Sequence, residues 1–318
     1  AAIACQLEQG LDLPGAIAAC YPLFTGVFSA VAMNQDMLVA FRDPHGIRPL
    51  SLGKLHDGSY VVASETCALD TISARFEREI APGEMLTITT DGIQSTEVIP
   101  GEQKLDIFEF VYFARPDSVI LGKSVNEVRM NFGRIMAEEC RVDADVVIPV
   151  PDSSIPAALG YAEASGIPFE MNLIKNRYIH RTFIRPTAEL REHDLKMKLN
   201  PLIDAIKGRR VVLVDDSIVR GTTMRKTVAM LREAGATEVH LLISSPPVLY
   251  PDYYGINTPT QAELIASKMT VPEIRQYVGA DSLYFLSYDG MIAATGLPEH
   301  VFSASCFTGI YPTPIGKR

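Results

Sequence analysis

The spacing of apolar positions changes rhythm near residue 100. From residue 17 to 100, short apolar runs alternate with turn residues. Residues 26–33, 37–41, 60–64 and 85–89 read as strands. Asp43-Pro44-His45-Gly46, Ala81-Pro82-Gly83-Glu84 and Thr90-Asp91-Gly92 punctuate them, because Gly, Pro and Asp favour turn geometries. Short strands broken this often predict part of a sandwich or layered β-structure. Residues 98–106 are polar, carry Pro100-Gly101 and read as a linker.

Beyond that stretch the period lengthens. Val125, Val128, Phe132, Ile135 and Met136 recur at helical spacing and predict a helix over 125–140. Residues 145–151 are almost continuously apolar, as a strand buried on both faces must be. A helix over 154–164 follows, closed by Gly166. A second buried strand covers 211–214, then a loop, a helix ending near Gly235, and another strand over 239–244. Strand–helix–strand units of this kind predict a parallel sheet, so the fold class is α/β. Met224, Val228, Met230 and Leu231 form an ordinary core stripe on the last helix.

The 318 residues are 47% hydrophobic and 21% charged, a globular profile long enough for about two domains. The net charge of -9 leaves no dominant basic patch, which argues against nucleic acid as the partner. Five cysteines at 5, 20, 67, 140 and 306 contain no CxxC pair, which excludes zinc ribbons and dithiol motifs. Scattered thiols predict a reduced, cytoplasmic setting, and no apolar run reaches membrane-spanning length. The chain opens on Ala1 inside a helical pattern. This reads as a fragment cut within a domain, with a processed N-terminus as the alternative.

The most informative segment is V-V-L-V-D-D-S-I-V-R-G-T-T, residues 211–223. Ligands of parallel sheets sit outside the carboxyl ends of the strands. The loop runs into a helix N-terminus, whose N–H groups attract phosphate. Gly221 lets the backbone come close, and Thr222 and Thr223 add hydroxyl donors. Asp215 and Asp216 cannot face the same phosphate favourably, but they accept hydrogen bonds from ribose hydroxyls. A substrate with a 5′-phosphate and free 2′- and 3′-hydroxyls satisfies every group. An acid complementing a helix dipole accounts for only one of the two. The segment is neither a Walker loop nor a GxGxxG fingerprint.

This segment resembles the phosphoribosyl-pyrophosphate (PRPP) loop of type I phosphoribosyltransferases. Tyr112-Phe113-Ala114-Arg115-Pro116-Asp117-Ser118, Val150-Pro151-Asp152-Ser153-Ser154, Ile174-Lys175-Asn176-Arg177-Tyr178 and Arg181-Thr182-Phe183-Ile184 narrow the resemblance to the amidophosphoribosyltransferase family. So do Asp43-Pro44-His45-Gly46-Ile47-Arg48-Pro49-Leu50 and Ala63-Ser64-Glu65-Thr66-Cys67-Ala68-Leu69-Asp70. The resemblance implies a type I phosphoribosyltransferase parallel sheet with flanking helices over 105–318, including a C-terminal extension. Residues 1–104 would be the remaining part of an N-terminal-nucleophile (class II glutaminase) layered β domain. The implied activity is that of a pentosyl-transferring glycosyltransferase. Ammonia, drawn from glutamine in the intact enzyme, attacks C1′ of PRPP to give 5-phosphoribosylamine, pyrophosphate and glutamate, the first step of purine synthesis.

The same resemblance places PRPP on Asp215, Asp216, Ser217, Ile218, Val219, Arg220, Gly221, Thr222 and Thr223. It places Mg²⁺ near Ser153, Asp215 and Asp216. Lys175, Arg177, Tyr178 and Arg181 would lie on a lid, with Lys175, Tyr178 and Arg181 serving catalysis. Lys175 and Arg181 would neutralise the leaving pyrophosphate, while the closed lid excludes water. Tyr112 would couple the two sites, the alternative being an aromatic in a strand. Purine nucleotides would inhibit, and the chain would form a homodimer or homotetramer.

Two departures from the family pattern change the expectation. The family's glutaminase nucleophile is an N-terminal Cys, but residue 1 here is Ala. Cys5 is internal, so glutamine-dependent activity is not expected of this chain as written; Cys5 and Cys20 are expected to be packed thiols. Some members hold a [4Fe–4S] cluster on four Cys; the matching positions here are Asp106, Asp252, Ser303 and Cys306, so no cluster is expected. Two alternatives remain. A PRPP-binding regulatory module would lack the lid residues, and a nucleobase salvage phosphoribosyltransferase would lack the β-rich N-terminal part.

Overall fold

A computed structural model describes residues 1–176, 199–254 and 260–315. Its strands are β1 (Ser29–Met33), β2 (Met37–Arg42), β3 (Ser51–Lys54), β4 (Tyr60–Ala63), β5 (Arg75–Glu79), β6 (Glu84–Thr89), β7 (Gly92–Glu97), β8 (Leu105–Asp106), β9 (Val119–Ile120), β10 (Lys123–Ser124), β11 (Val146–Pro149), β12 (Leu173–Lys175), β13 (Leu199–Pro201), β14 (Arg210–Asp215), β15 (Glu238–Ile243), β16 (Ser282–Phe285) and β17 (Phe302–Ser303).

The N-terminal part is layered, as its pattern predicts. Two antiparallel sheets, β1-β2-β6-β7 and β4-β3-β5, are stacked. Alternation along β2 and β6 sends Ala40 and Leu86 between the sheets, against Leu50, Leu52 and Ile80. Their neighbours Val39, Phe41 and Met85 face the other way, under Leu13, Ile17 and Tyr21. Leu13 and Ile17 belong to the helix Leu13–Cys20, which Asp12 caps by accepting from Gly15 N at 2.8 Å. The helix Ala2–Glu8 buries no residue, so Cys5 is exposed rather than packed, while Cys20 is buried.

Residues 98–106 are not a free linker. Glu102 N, Lys104 N and Asp106 N donate to the carbonyls of Pro44, His45 and Ile47 at 2.8, 2.7 and 3.0 Å. Leu105 is fully buried, and β8 pairs in parallel with β17. The polar side chains hide a segment whose backbone is fastened to both parts of the chain. Tyr112 is not in a strand either; it lies on the wide helical turn Glu109–Phe113.

The C-terminal part centres on the parallel sheet β11-β14-β15-β16. Val147, Val212, Val214 and Leu242 face Phe132 and Met136 of the helix Val125–Glu139, and Ala158 and Tyr161 of the helix Ile155–Ser165. Ile148, Leu213, Leu241 and Ile243 face Met224, Val228 and Leu231 of the helix Thr222–Glu233. Both faces are covered, which is why the strands read as unbroken apolar runs. No helix among the described residues is long and apolar enough to cross a membrane.

Candidate active site at the carboxyl end of the parallel sheet

Strand β14 ends at Asp215, and Asp216 follows at the carboxyl edge of the sheet. Parallel pairing of β11 with β14 brings the loop after Pro149 alongside. Ser153 Oγ on that loop donates to Asp216 Oδ2 at 2.5 Å. Ser217 Oγ donates to Asp216 Oδ1 at 2.6 Å, and Asp216 N donates to Asp215 Oδ1 at 2.9 Å. Ser153, Asp215 and Asp216 therefore form one cluster across two loops. Burial and the neighbouring Asp216 push the Asp215 carboxyl well above the usual carboxylate range. Burial also pushes Asp216 up, against the hydrogen bonds of Ser153 and Ser217 and the charge of Arg129.

The rest of the loop is anchored unevenly. Ile218 is a core residue, and Val219 O accepts from Ile265 N at 2.9 Å. Arg220 pairs with Glu263 at 3.0 Å. Gly221 has φ +74° and immediately precedes the helix Thr222–Glu233. Thr222 and Thr223 are exposed at its N-terminus. A Cβ on Gly221 would lie 2.6 Å from Ile265 Cδ1 and 3.2 Å from Tyr277 Cε1. Gly221→Ala is therefore expected to displace the loop and to raise the KM for its ligand by roughly tenfold or more, since left-handed strain adds to the overlap. Steady-state kinetics beside a thermal melt would check this; an unchanged KM would show that the loop does not hold the ligand.

Lys175 ends β12 and reaches the loop after β11. Its Nζ pairs with Asp152 Oδ2 at 2.6 Å, the Lys175 side chain being about half exposed and that of Asp152 mostly exposed. Arg177, Tyr178 and Arg181 lie outside the described residues, as does His180. Tyr112 is 40% exposed and meets Phe113 edge-on at 5.6 Å. Two residues that pattern reading missed are Arg129 and Arg48. Arg129 is 2% exposed on the helix Val125–Glu139. Arg48 lies between the two parts of the chain, 2.7 Å from Glu109 and 3.5 Å from Asp106. Neither has a local signal, because each takes its partners from distant segments.

Asp106, Asp252, Ser303 and Cys306 also come together. Ser303 is the register partner of Asp106. Burial and both carboxyls push the Cys306 thiol up. Burial and Asp252 push Asp106 up to about 8, against the pull of Arg48. The folded chain thus holds this proton more tightly than the unfolded chain does. The associated stability is present in acid and is lost as pH rises through roughly 4 to 8. Asp106→Asn is expected to flatten that decline and to raise the melting temperature at pH 8; a variant that melts below wild type at pH 8 would contradict the assignment.

Residues 123–245 match the phosphoribosyl transferase domain model. The chain is 50% identical over 317 residues to an amidophosphoribosyltransferase of Synechocystis, covering 99% of this chain and 64% of that protein. It is 51% identical over 298 residues to the Bacillus subtilis amidophosphoribosyltransferase, covering 92% of this chain and 62% of that protein. The solved glutamine PRPP amidotransferase of B. subtilis, complexed with ADP and GMP, superposes with a TM-score of 0.90 at 49% identity, covering 96% of this chain and 68% of that one. A structure described as the allosteric regulatory enzyme of purine biosynthesis gives 0.92 at 48%, covering 99% and 69%. The chain thus spans between about half and a little under two thirds of the length of the curated relatives it matches.

Proposed function

The chain belongs to the amidophosphoribosyltransferase family, and we propose that it carries the site where PRPP meets ammonia, within an enzyme that draws the ammonia from glutamine. The observation that carries this reading is the cluster of Ser153, Asp215 and Asp216 at the sheet's carboxyl edge, next to a glycine-led helix N-terminus. In this reading the carboxylates accept from the ribose hydroxyls, and the N–H groups and hydroxyls of residues 217–223 hold the 5-phosphate.

Phosphoribosyltransferases generally use Mg²⁺ with PRPP, and the donors present suit it. They are all oxygens, and among the described residues no group of three or more His, Cys, Asp or Glu converges to hold a metal by itself. Two carboxylates with Ser153, completed by pyrophosphate oxygens, match a hard cation that keeps few protein ligands. When bound, Mg²⁺ supplies charge neutralisation for the leaving pyrophosphate. Lys175, freed from Asp152, adds a second positive charge there, with Arg181 and Tyr178 assigned to the same lid. Ammonia forms the new bond to C1′ as the C1′–O bond to pyrophosphate breaks, and one proton leaves the nitrogen.

The boundary near residues 104–105, coupling through Tyr112, inhibition by purine nucleotides, and assembly as a dimer or tetramer belong to the same proposal. So does the absence of an iron–sulfur cluster, because only Cys306 of the four matching positions is a cysteine. The cytoplasmic assignment rests on five free cysteines. The test compares ammonia with glutamine as nitrogen donor for Mg²⁺-dependent pyrophosphate release from PRPP. Release with ammonia supports the transferase; tight PRPP binding without release would favour a regulatory module.

A further inference from the structure

Three consecutive residues of the loop after β14, Val219, Arg220 and Gly221, meet one short segment that lies beyond β15 in the chain. That segment makes two tight turns, Gln261–Glu263 and Ile265–Ser267. Glu263 N donates to Thr260 O at 2.8 Å, and Ser267 Oγ donates to Gln261 O and Leu264 O at 2.6 and 2.8 Å. Two adjacent residues anchor it in the cores on opposite faces of the parallel sheet. Leu264 is fully buried in the core that includes the helices Val125–Glu139 and Ile155–Ser165, and Ile265 is buried in the core under the helix Thr222–Glu233. From this position Ile265 N donates to Val219 O at 2.9 Å. Glu263 accepts from Arg220 Nε and Nη2 at 3.1 and 3.0 Å. Ile265 Cδ1 fills the space beside Gly221, 2.6 Å from where a Cβ would lie, and Tyr277 of the helix Val271–Val278 is 3.2 Å from the same point.

We propose that the segment Gln261–Ser267 is the support that shapes the phosphate-holding loop, and that Ile265 is its positioning residue for PRPP binding. The inference rests on the function proposed above, in which the N–H groups of residues 217–223 hold the 5-phosphate. Backbone donors are not re-aimed by a rotamer change; they point where the loop is held. Gly221, at φ +74°, carries no Cβ to restrict its own conformation. Ile265 supplies the restriction from outside, through Cδ1 at Gly221 and its N–H at Val219. The Arg220–Glu263 pair adds less, since both side chains are about half exposed and water screens such pairs. The buried contact therefore carries the positioning. The 5-phosphate is remote from C1′ and is gripped in ground and transition states alike, so a loosened loop raises KM more than it lowers kcat. Pyrophosphate is held by other residues in the same reading, Lys175 and the loop after β11.

The experiment titrates the full chain with two probes, ribose 5-phosphate and Mg²⁺-pyrophosphate, and measures kcat and KM for PRPP with ammonia as donor. The variants are Ile265→Ala, Ile265→Val, Gly221→Ala and the double variant Gly221→Ala/Ile265→Val, each checked by circular dichroism and a thermal melt. Ile265→Ala is expected to weaken ribose 5-phosphate binding and raise the KM for PRPP, each roughly tenfold, with pyrophosphate affinity within about twofold of wild type. Ile265→Val deletes Cδ1 alone and is expected to have about a threefold effect on the same two quantities. In the double variant that deletion removes the atom that a methyl group at position 221 strikes. Ile265→Val is therefore expected to lower the KM of Gly221→Ala by about threefold, the reverse of its effect in wild type. An isoleucine that only fills the core would weaken both probes alike, or lower kcat with KM unmoved, and either result overturns the proposal. So does ribose 5-phosphate affinity within about twofold of wild type in Ile265→Ala. Strictly multiplicative effects in the double variant overturn the Cδ1 contact. If Ile265→Ala does not fold, the Ile265→Val and Gly221→Ala cycle still decides. A wild-type chain that binds ribose 5-phosphate but releases no pyrophosphate from PRPP overturns the underlying function instead, and the ribose 5-phosphate affinities still decide the support.

Discussion

Replacing Asp216 with Asn is expected to lower kcat/KM for PRPP by about two orders of magnitude while the chain stays folded. The substitution keeps the shape of the side chain. Its remaining oxygen still accepts from one of Ser153 and Ser217, whose hydroxyls can also turn to accept from the new amide. What disappears is the negative charge next to Asp215. Without it the site loses a ligand suited to a hard cation and a charged acceptor for a ribose hydroxyl. Ser153→Ala should cost less, up to about tenfold, because it removes a neutral group that orients the carboxylate. Kinetics with ammonia as donor, beside thermal melts, separate the two. Activity within about threefold of wild type in Asp216→Asn would remove the acids from the mechanism.

The largest loss of stability is expected where the helices Val125–Glu139 and Ile155–Ser165 cross. Gly133 and Gly160 let the two backbones nearly touch. A Cβ on Gly133 would lie 1.8 Å from Ala157 O and 2.5 Å from Tyr161 N, and one on Gly160 would lie 1.9 Å from Met130 O. These obstacles are backbone atoms, so no rotamer change relieves them. The helices must separate, which loosens the packing of Phe132 and Tyr161 on the sheet. Gly133→Ala is expected to cost about 3 kcal/mol or more in urea unfolding. Gly166→Ala is the contrast. Its φ is +77° but nothing lies within 4 Å of its Cβ, so only backbone strain of about 1 kcal/mol is expected. Equal losses in the two variants would contradict the close crossing.

Much of this architecture is legible in the sequence, for physical reasons. Strands β11, β14 and β15 are buried on both faces and leave continuous apolar runs, and the acids and Gly221 punctuate the end of β14 visibly. The layered N-terminal sheets follow from alternation in β2 and β6. The misses share one cause: partners far apart along the chain. Residues 98–106 look like a linker because their side chains are polar, yet their backbone is bonded to residues 44–47 and, through Asp106, lies against β17. Arg129 lies on the helix face that carries Val125, Val128 and Phe132, where a periodicity rule expects no charge, and its carbonyl partners are 15 to 20 residues away. Cys5 lies on a helix that touches the core only through the partly buried Ile3 and buries no residue fully. The convergence of Asp106, Asp252, Ser303 and Cys306 has no local signal at all; resemblance alone groups them.

In the proposed function the edge of β14 presents PRPP to ammonia. The most direct test incubates the full chain with PRPP, Mg²⁺ and isotopically labelled ammonium, and follows the mixture by nuclear magnetic resonance. Pyrophosphate is expected to appear in step with a new bond between labelled nitrogen and C1′, and both are expected to be lost in Asp216→Asn. Pyrophosphate appearing only with ribose 5-phosphate, with no labelled nitrogen on C1′, would contradict it.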